Sequence, residues 1–213
     1  MSLEQLLARP DIWRAGQEQS AAQHPVVSTG FAPLDAELPG RGWPRGALTE
    51  LLPEREGIGE FSLILPALAT LTRAGLWAAL IAPPHVPYAP ALRQGGVDLS
   101  RLLVLIPEDD GQAAWAMEQC LRNPAIGAAA GWLTPRDPHA LRRLQLAAEA
   151  GDSLGFLYRP PAVMHNPSPA ALRLRLRGGS QSTQAPHMAV EIIKRRAGML
   201  QTPVELAPRH AVA

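Results

Sequence analysis

Cys120 is the single cysteine of the sequence, so an internal disulfide is excluded. Its surroundings, AWAMEQCL, follow a helical apolar pattern that suits a buried structural thiol better than a nucleophile. A reducing, cytoplasmic location is the expectation. No apolar run approaches the ~20 residues that a membrane-spanning helix needs; stretches such as Leu76 to Pro84 are far shorter. The opening MSLEQLLARPDIWRAG also lacks the basic and then apolar regions of a signal peptide. Charged residues make up only 18% of the 213 residues, and 20 Lys and Arg against 19 Asp and Glu leave a net charge of +1. No global field draws such a chain to nucleic acid or to a membrane, so any contact of that kind must be a local patch.

Signatures of common chemistries are missing as well. The six histidines are scattered, with no HxH, HExxH or CxxC spacing, so no metal or cofactor is expected. There is no GxSxG elbow. Glu108, Asp109 and Asp110 form an acidic group, but EDDGQAAW reads as the capped start of a helix, where carboxylates complement the dipole.

The sequence does hold 22 prolines and 18 glycines, well above the ~12% combined share of an average chain. Many turns separate short elements. Residues 1–25 read as a polar arm with two helical pieces, whose Leu3, Leu6, Leu7, Ile12 and Trp13 form an apolar face. That face either packs on the chain's own core or docks on a partner, with Ala21 to Pro25 as a tether. Residues 26–206 alternate apolar runs with helical patterns, the signature of a mainly parallel α/β sheet flanked by helices. Strands are expected at Ala47 to Leu52, Leu76 to Ala82, Leu102 to Ile106, Ile126 to Leu133 and Leu154 to Tyr158. Helices fit Phe61 to Ala74, Tyr88 to Gln94, Gln112 to Leu121 and Pro138 to Ala150, the last behind a cap at Asp137. Beyond the proline-rich Pro160 to Pro169, Ala171 to Arg177 and Met188 to Arg195 alternate with period two and predict a C-terminal β-hairpin. Residues 207–213 are a tail.

Glu50 to Leu65, ELLPEREGIGEFSLIL, has the strand, glycine loop and helix layout of a phosphate-binding loop. A working GxxxxGK[ST] loop needs a Lys for the phosphates and a hydroxyl for Mg²⁺. Here Gly57 and Gly59 are followed by Glu60 and Phe61. A carboxylate in place of the ammonium reverses the contact, and a like-charge pair at ~4 Å costs about 4 kcal/mol at an effective dielectric near 20. Glu60 is instead expected to supply the anion that the loop amides would otherwise take from a phosphate. The expected strand Ile126 to Leu133 ends in Gly131, Trp132 and Leu133, without the acid that would orient a metal, and the strand from Leu76 runs into Pro83 and Pro84. No ATPase activity is expected.

The hairpin carries the one basic cluster. Arg173, Arg175 and Arg177 share one strand face, opposite Leu172, Leu174 and Leu176, while Lys194, Arg195 and Arg196 close the second strand. This is either a solvated edge that blocks aggregation or a surface for a nucleic-acid backbone or an acidic partner.

In order, these segments resemble the RecA recombinase core, a P-loop fold, and in particular the ImuA family of translesion-synthesis proteins, also described as SulA-like. The resemblance covers Val26 to Leu206 and rests on STGFAPLDAELPGRGWPRGALTEL, GIGEFSLILPAL, PEDDGQAAWAMEQCLR, SPAALRLRLR and VEIIKRRAG. It implies that Glu60 and Phe61 stand where an ATPase has Lys and Thr. It also sets Pro84 in place of a catalytic Glu, and Gly131 near the position of a metal-orienting Asp. ImuA proteins are implied to act in SOS mutagenesis with an ImuB-type pseudo-polymerase and an error-prone polymerase, contacting RecA or DNA. SulA proteins, which inhibit cell division by binding FtsZ, are the second reading, and an ATP-binding RecA paralogue is the third.

Overall fold

The computed structural model describes residues 25–178 other than 136 and 138, together with 188–195 and 203–207. The arm residues Leu3, Leu6, Leu7, Ile12 and Trp13, the helix-start residue Pro138, Arg196 and the tail beyond 207 lie outside the described residues.

The main sheet has eight strands. In chain order its strands are β3 (Ala47–Pro53), β4 (Trp77–Ile81), β5 (Leu102–Leu105), β6 (Ile126–Trp132), β7 (Leu154–Tyr158), β8 (Leu172–Gly178), β9 (Met188–Lys194) and β10 (Val204–Leu206). They are arranged β10-β9-β8-β3-β7-β6-β4-β5. The block from β8 to β5 is parallel, and β9 and β10 add to it antiparallel. A separate two-stranded ribbon pairs β1 (Val26–Val27) with β2 (Trp43–Pro44). Between them lies the short helix α1 (Ala32–Glu37).

Parallel strands must be covered on both faces, and the sequence supplies near-continuous apolar runs in β4, β6 and β7 to meet that demand. The pleat sends alternate residues to opposite sides. Ala78 and Leu80 join a core with α1, α2 (Leu65–Arg73) and the hairpin leucines, while Ala79 and Ile81 join a second core under α4 (Asp110–Arg122) and α5 (Ala140–Gly151). The result is a three-layer α/β/α arrangement. Helices α4 and α5 approach very closely at Gly151, where an added Cβ would lie 2.1 Å from the Leu121 carbonyl oxygen. Only glycine fits there.

The five expected core strands and the hairpin are all present, shifted by one residue at most at either end. The expected helix from Phe61 is divided: a 3₁₀ turn covers Glu60–Leu63, and α2 begins at Leu65. Pro66 is the reason. Within a continuous helix it would remove a hydrogen bond and clash with the preceding turn, whereas in the first turn its missing N–H costs nothing. Helix α5 likewise starts two residues later than expected, because the Asp137 carboxylate accepts the His139 N–H at 2.8 Å in a tight turn outside the helix. The acidic group before α4 does cap it: Asp109 Oδ1 accepts the Gln112 N–H at 2.8 Å. The remaining expected helix is α3 (Ala89–Gln94). The ribbon, α1 and β10 are additions that two- to six-residue elements gave no periodic signal for. Among the described residues no helix is long and apolar enough to cross a membrane.

Candidate functional site

In open α/β sheets, ligands bind outside the carboxyl ends of the strands, so the loops leaving β3, β6 and β7 define the place to look. The loop after β3 turns through Gly57 (φ 77°) and Gly59 (φ 85°), a left-handed region in which glycine is unstrained. Nothing lies within 4 Å of a Cβ built on Gly57, so conformation and not space selects glycine there. Glu60 follows, and its Oε1 accepts the Gly57 N–H at 3.3 Å. The loop amide is therefore turned onto a carboxylate of the same chain. Ser62, the nearest hydroxyl, donates back to the Gly59 carbonyl at 2.5 Å.

Behind the loop, aromatic rings fill the strand ends. Trp132 closes β6 and Tyr158 closes β7, and the parallel register sets them side by side. Their rings stack at 4.5 Å and 3°, and Phe61 lies against Trp132 at 6.0 Å. The Tyr158 hydroxyl donates to the Glu60 carbonyl oxygen at 3.2 Å, tying the stack to the loop. Burial pushes the Tyr158 phenol well above its ordinary range, and the nearby Glu60 charge adds to the shift. The phenol therefore acts as a neutral donor. Gly131 directs its Cα–H into the opposite core, where an added Cβ would lie 2.8 Å from Met117 Sδ. A carboxylate there would have to push aside the Met117 and Leu133 side-chain ends and lie unpaired in an apolar core. At the neighbouring strand end Ala82 takes a left-handed conformation (φ 51°) ahead of Pro83 and Pro84 and turns the chain away.

The basic hairpin corrects the sequence-based expectation. Arg173 is buried, 5% exposed, and is not a surface contact. Its Nε donates to Glu50 Oε2 at 2.6 Å, while its other nitrogens reach the carbonyls of Val163, Met164 and Asn166 at 2.9 to 3.1 Å. Glu50, fully buried in β3, also takes Arg159 Nη1 at 3.1 Å and the Ser168 hydroxyl at 2.8 Å. This Arg–Glu–Arg group pins the Pro160 to Pro169 loop against the sheet. The cause lies in the register: β8 pairs Arg173 directly with Glu50, and two cations satisfy one acid that could not be buried alone.

The other basic residues have partners within the fold too. Arg175 lies opposite Glu191 in the ladder and reaches it at 3.4 Å. Arg177 pairs with Glu191 at 2.8 Å and with Glu54 at 3.6 Å. Lys194 Nζ donates to the Ser168 carbonyl at 2.8 Å. Arg195 meets Glu37 through both its backbone carbonyl and, at 3.7 Å, its carboxylate. A signal for the buried group existed in the sequence: Glu50 interrupts the apolar run ALTELLP, and a buried acid demands a cation on a neighbouring strand. Trp132 and Tyr158 gave none, since their meeting depends on register.

No family model matches the sequence. Over 125 residues, 59% of the chain, it is 34% identical to protein RecA of Chlorobaculum parvum, of which the match spans 36%. Over 156 residues, 71% of the chain, it is 30% identical to RecA of Brucella canis, spanning 41% of that protein. Over 98 residues, 46% of the chain, it is 35% identical to the cell division inhibitor SulA of Edwardsiella piscicida, spanning 58% of it. Among solved structures, SulA from Pseudomonas aeruginosa superposes with a TM-score of 0.44 at 27% identity, over 53% of this chain and 97% of that one. The chain spans little more than a third of the length of the RecA proteins it matches first. It is thus partially similar to both RecA and SulA.

Proposed function

We propose that the chain is a non-catalytic, RecA-like adaptor of the DNA-damage response, of the ImuA kind, which works with an ImuB-type pseudo-polymerase and an error-prone polymerase in translesion synthesis. The observation that carries the non-catalytic part is the loop after β3, where Glu60 occupies a loop amide and the Phe61, Trp132 and Tyr158 rings take the space at the strand ends. A nucleotide phosphate would meet a carboxylate in place of an ammonium, and a base or ribose would have to displace stacked rings. The retained sheet then serves as a scaffold for surfaces that bind proteins.

What favours the ImuA reading over a RecA paralogue is the combination of a RecA-like sequence with GIGEFSLILPAL in the loop and ALRLRLR in the hairpin. The second reading, a division inhibitor that binds FtsZ, is supported by the similarity to SulA. Co-purification from damaged cells with mass spectrometry separates the two. Recovery of the cognate pseudo-polymerase supports the adaptor reading; recovery of FtsZ, with inhibition of its polymerisation by the purified chain, replaces it. Calorimetric titration with Mg·ATP tests the non-catalytic part, and micromolar binding would overturn it. The adaptor reading places the chain in the cytoplasm.

A further inference from the structure

The eight-stranded sheet ends in β5, which pairs with β4 on one side and with no described strand on the other. The Ala82 N–H donates to the Leu105 carbonyl, so the main-chain groups of Leu103 and Leu105 face β4. By alternation, those of Val104 and Ile106 face outward. An edge of this kind is ordinarily blunted by charge, proline or a bulge. Leu102 to Ile106 contains none of these. Its side chains are apolar on both faces and open to solvent: Leu103 is 36% exposed, Val104 42% and Ile106 72%.

An outward row of N–H and C=O groups specifies an extended strand as its occupant. The flanking charges specify which strand. Arg101 stands at the start of β5, and Glu108, Asp109 and Asp110 follow its end. Arg101 Nη1 donates to the Gly75 carbonyl at 2.9 Å and its guanidinium lies 5.6 Å over the Trp77 ring, while Asp109 caps α4 and the Glu108 carboxylate is 3.5 Å from Gln112 Nε2. Arg101 also acts on the carboxylate of Asp98, three residues before it, and none of Glu108, Asp109 and Asp110 is joined to a cation in these contacts. Reversing the strand on itself brings positive to negative at both ends.

We infer that β5 is a self-association edge, at which two copies of this chain pair antiparallel about a two-fold axis through Val104 or Leu105. Either register extends the sheet continuously through both copies. Either also sets Arg101 within one residue of the position facing Glu108 of the partner subunit, twice per dimer. The apolar faces match because a two-fold axis makes them identical. The edge closes on itself, so the assembly stops at a dimer and no filament grows from it.

Sedimentation equilibrium of the full chain from micromolar to submillimolar concentration tests this, with twice the 22.8 kDa chain mass expected at the upper end. Val104→Pro removes an outward N–H and leaves the bonds to β4, so it should weaken the dimer by about tenfold or more while the unfolding transition stays cooperative. Arg101→Glu should also weaken it, and Arg101→Glu combined with Glu108→Arg should restore it, which a merely structural role for either residue would not produce. A monomer at every concentration overturns the proposal. So does a dimer indifferent to Val104→Pro and to the charge reversal, or a dimer seen only after residues 2–23 are deleted, since the arm would then cover the edge in its own chain.

Discussion

Glu50 carries more of the fold's specificity than its place in an apolar strand suggests. Two guanidinium groups and a hydroxyl converge on it inside the sheet. Removing one member of such a group leaves the others charged and buried, which costs about 3–5 kcal/mol. Glu50→Ala and Arg173→Ala should each lower the urea midpoint accordingly, with m unchanged. Arg175→Ala, at a half-exposed pair with Glu191, should cost less than about 1 kcal/mol. Equal losses in all three variants would remove the distinction between a buried hub and a solvated ladder. Asp137 works at the same scale with the opposite exposure. Its hydrogen bond from Arg143, and then that from the His139 N–H, hold its carboxyl below the ordinary value of 3.8. A depressed carboxylate contributes stability that is complete above the unfolded value and lost as pH falls through the folded one. The start of α5 should therefore loosen below about pH 4, the ordinary aspartate range. Asp137→Asn should flatten that part of the pH profile in amide hydrogen exchange.

The elements give these residues their meaning. The loop after β3 is a short connection whose two glycines take left-handed turns, while the 3₁₀ turn behind it carries an acid and a ring. Adding a Lys and a hydroxyl to it is not enough to make a nucleotide site. Glu60→Lys with Phe61→Thr should give no measurable Mg·ATP binding by calorimetry, because Trp132 and Tyr158 still stack at the strand ends and no acid stands at Gly131 to orient a metal. Binding at micromolar concentration by that double variant would show that the rings are no obstacle. The hairpin of β8 and β9 follows the same logic. Its leucines pack inward and its arginines pair with Glu191, Glu54 and Glu50. A basic stripe in the sequence becomes a largely neutralised ladder in the fold.

For the molecule as a whole, the two cores lie on opposite faces of one sheet and draw on residues from Val27 to Leu206. Deleting residues 2–23 should thus leave one cooperative thermal transition while abolishing capture of a partner that uses the arm. A broad, non-cooperative melt would make the arm part of the core. With a net charge of +1, binding to DNA would have to arise from a local surface, and the pairing of the hairpin arginines leaves little free positive charge for it. Among the described residues, three of the seven exposed large hydrophobics, Leu103, Val104 and Ile106, lie in β5 or directly after it.

Alternating apolar runs and turn residues by themselves determined the layered parallel sheet, the hairpin and the glycine turn after β3, because those depend on local periodicity and on the identity of single residues. Capping at Asp109 was equally local. What only the tertiary structure decided was which side chains meet across strands far apart in the chain. The parallel register brought Arg173 and Arg159 to Glu50 and Trp132 to Tyr158, and the antiparallel pairing of β8 with β9 brought Arg175 to Glu191. A period-two pattern shows which residues share a face. It cannot show what lies opposite them, and that turned the surface arginine of the sequence into a buried one.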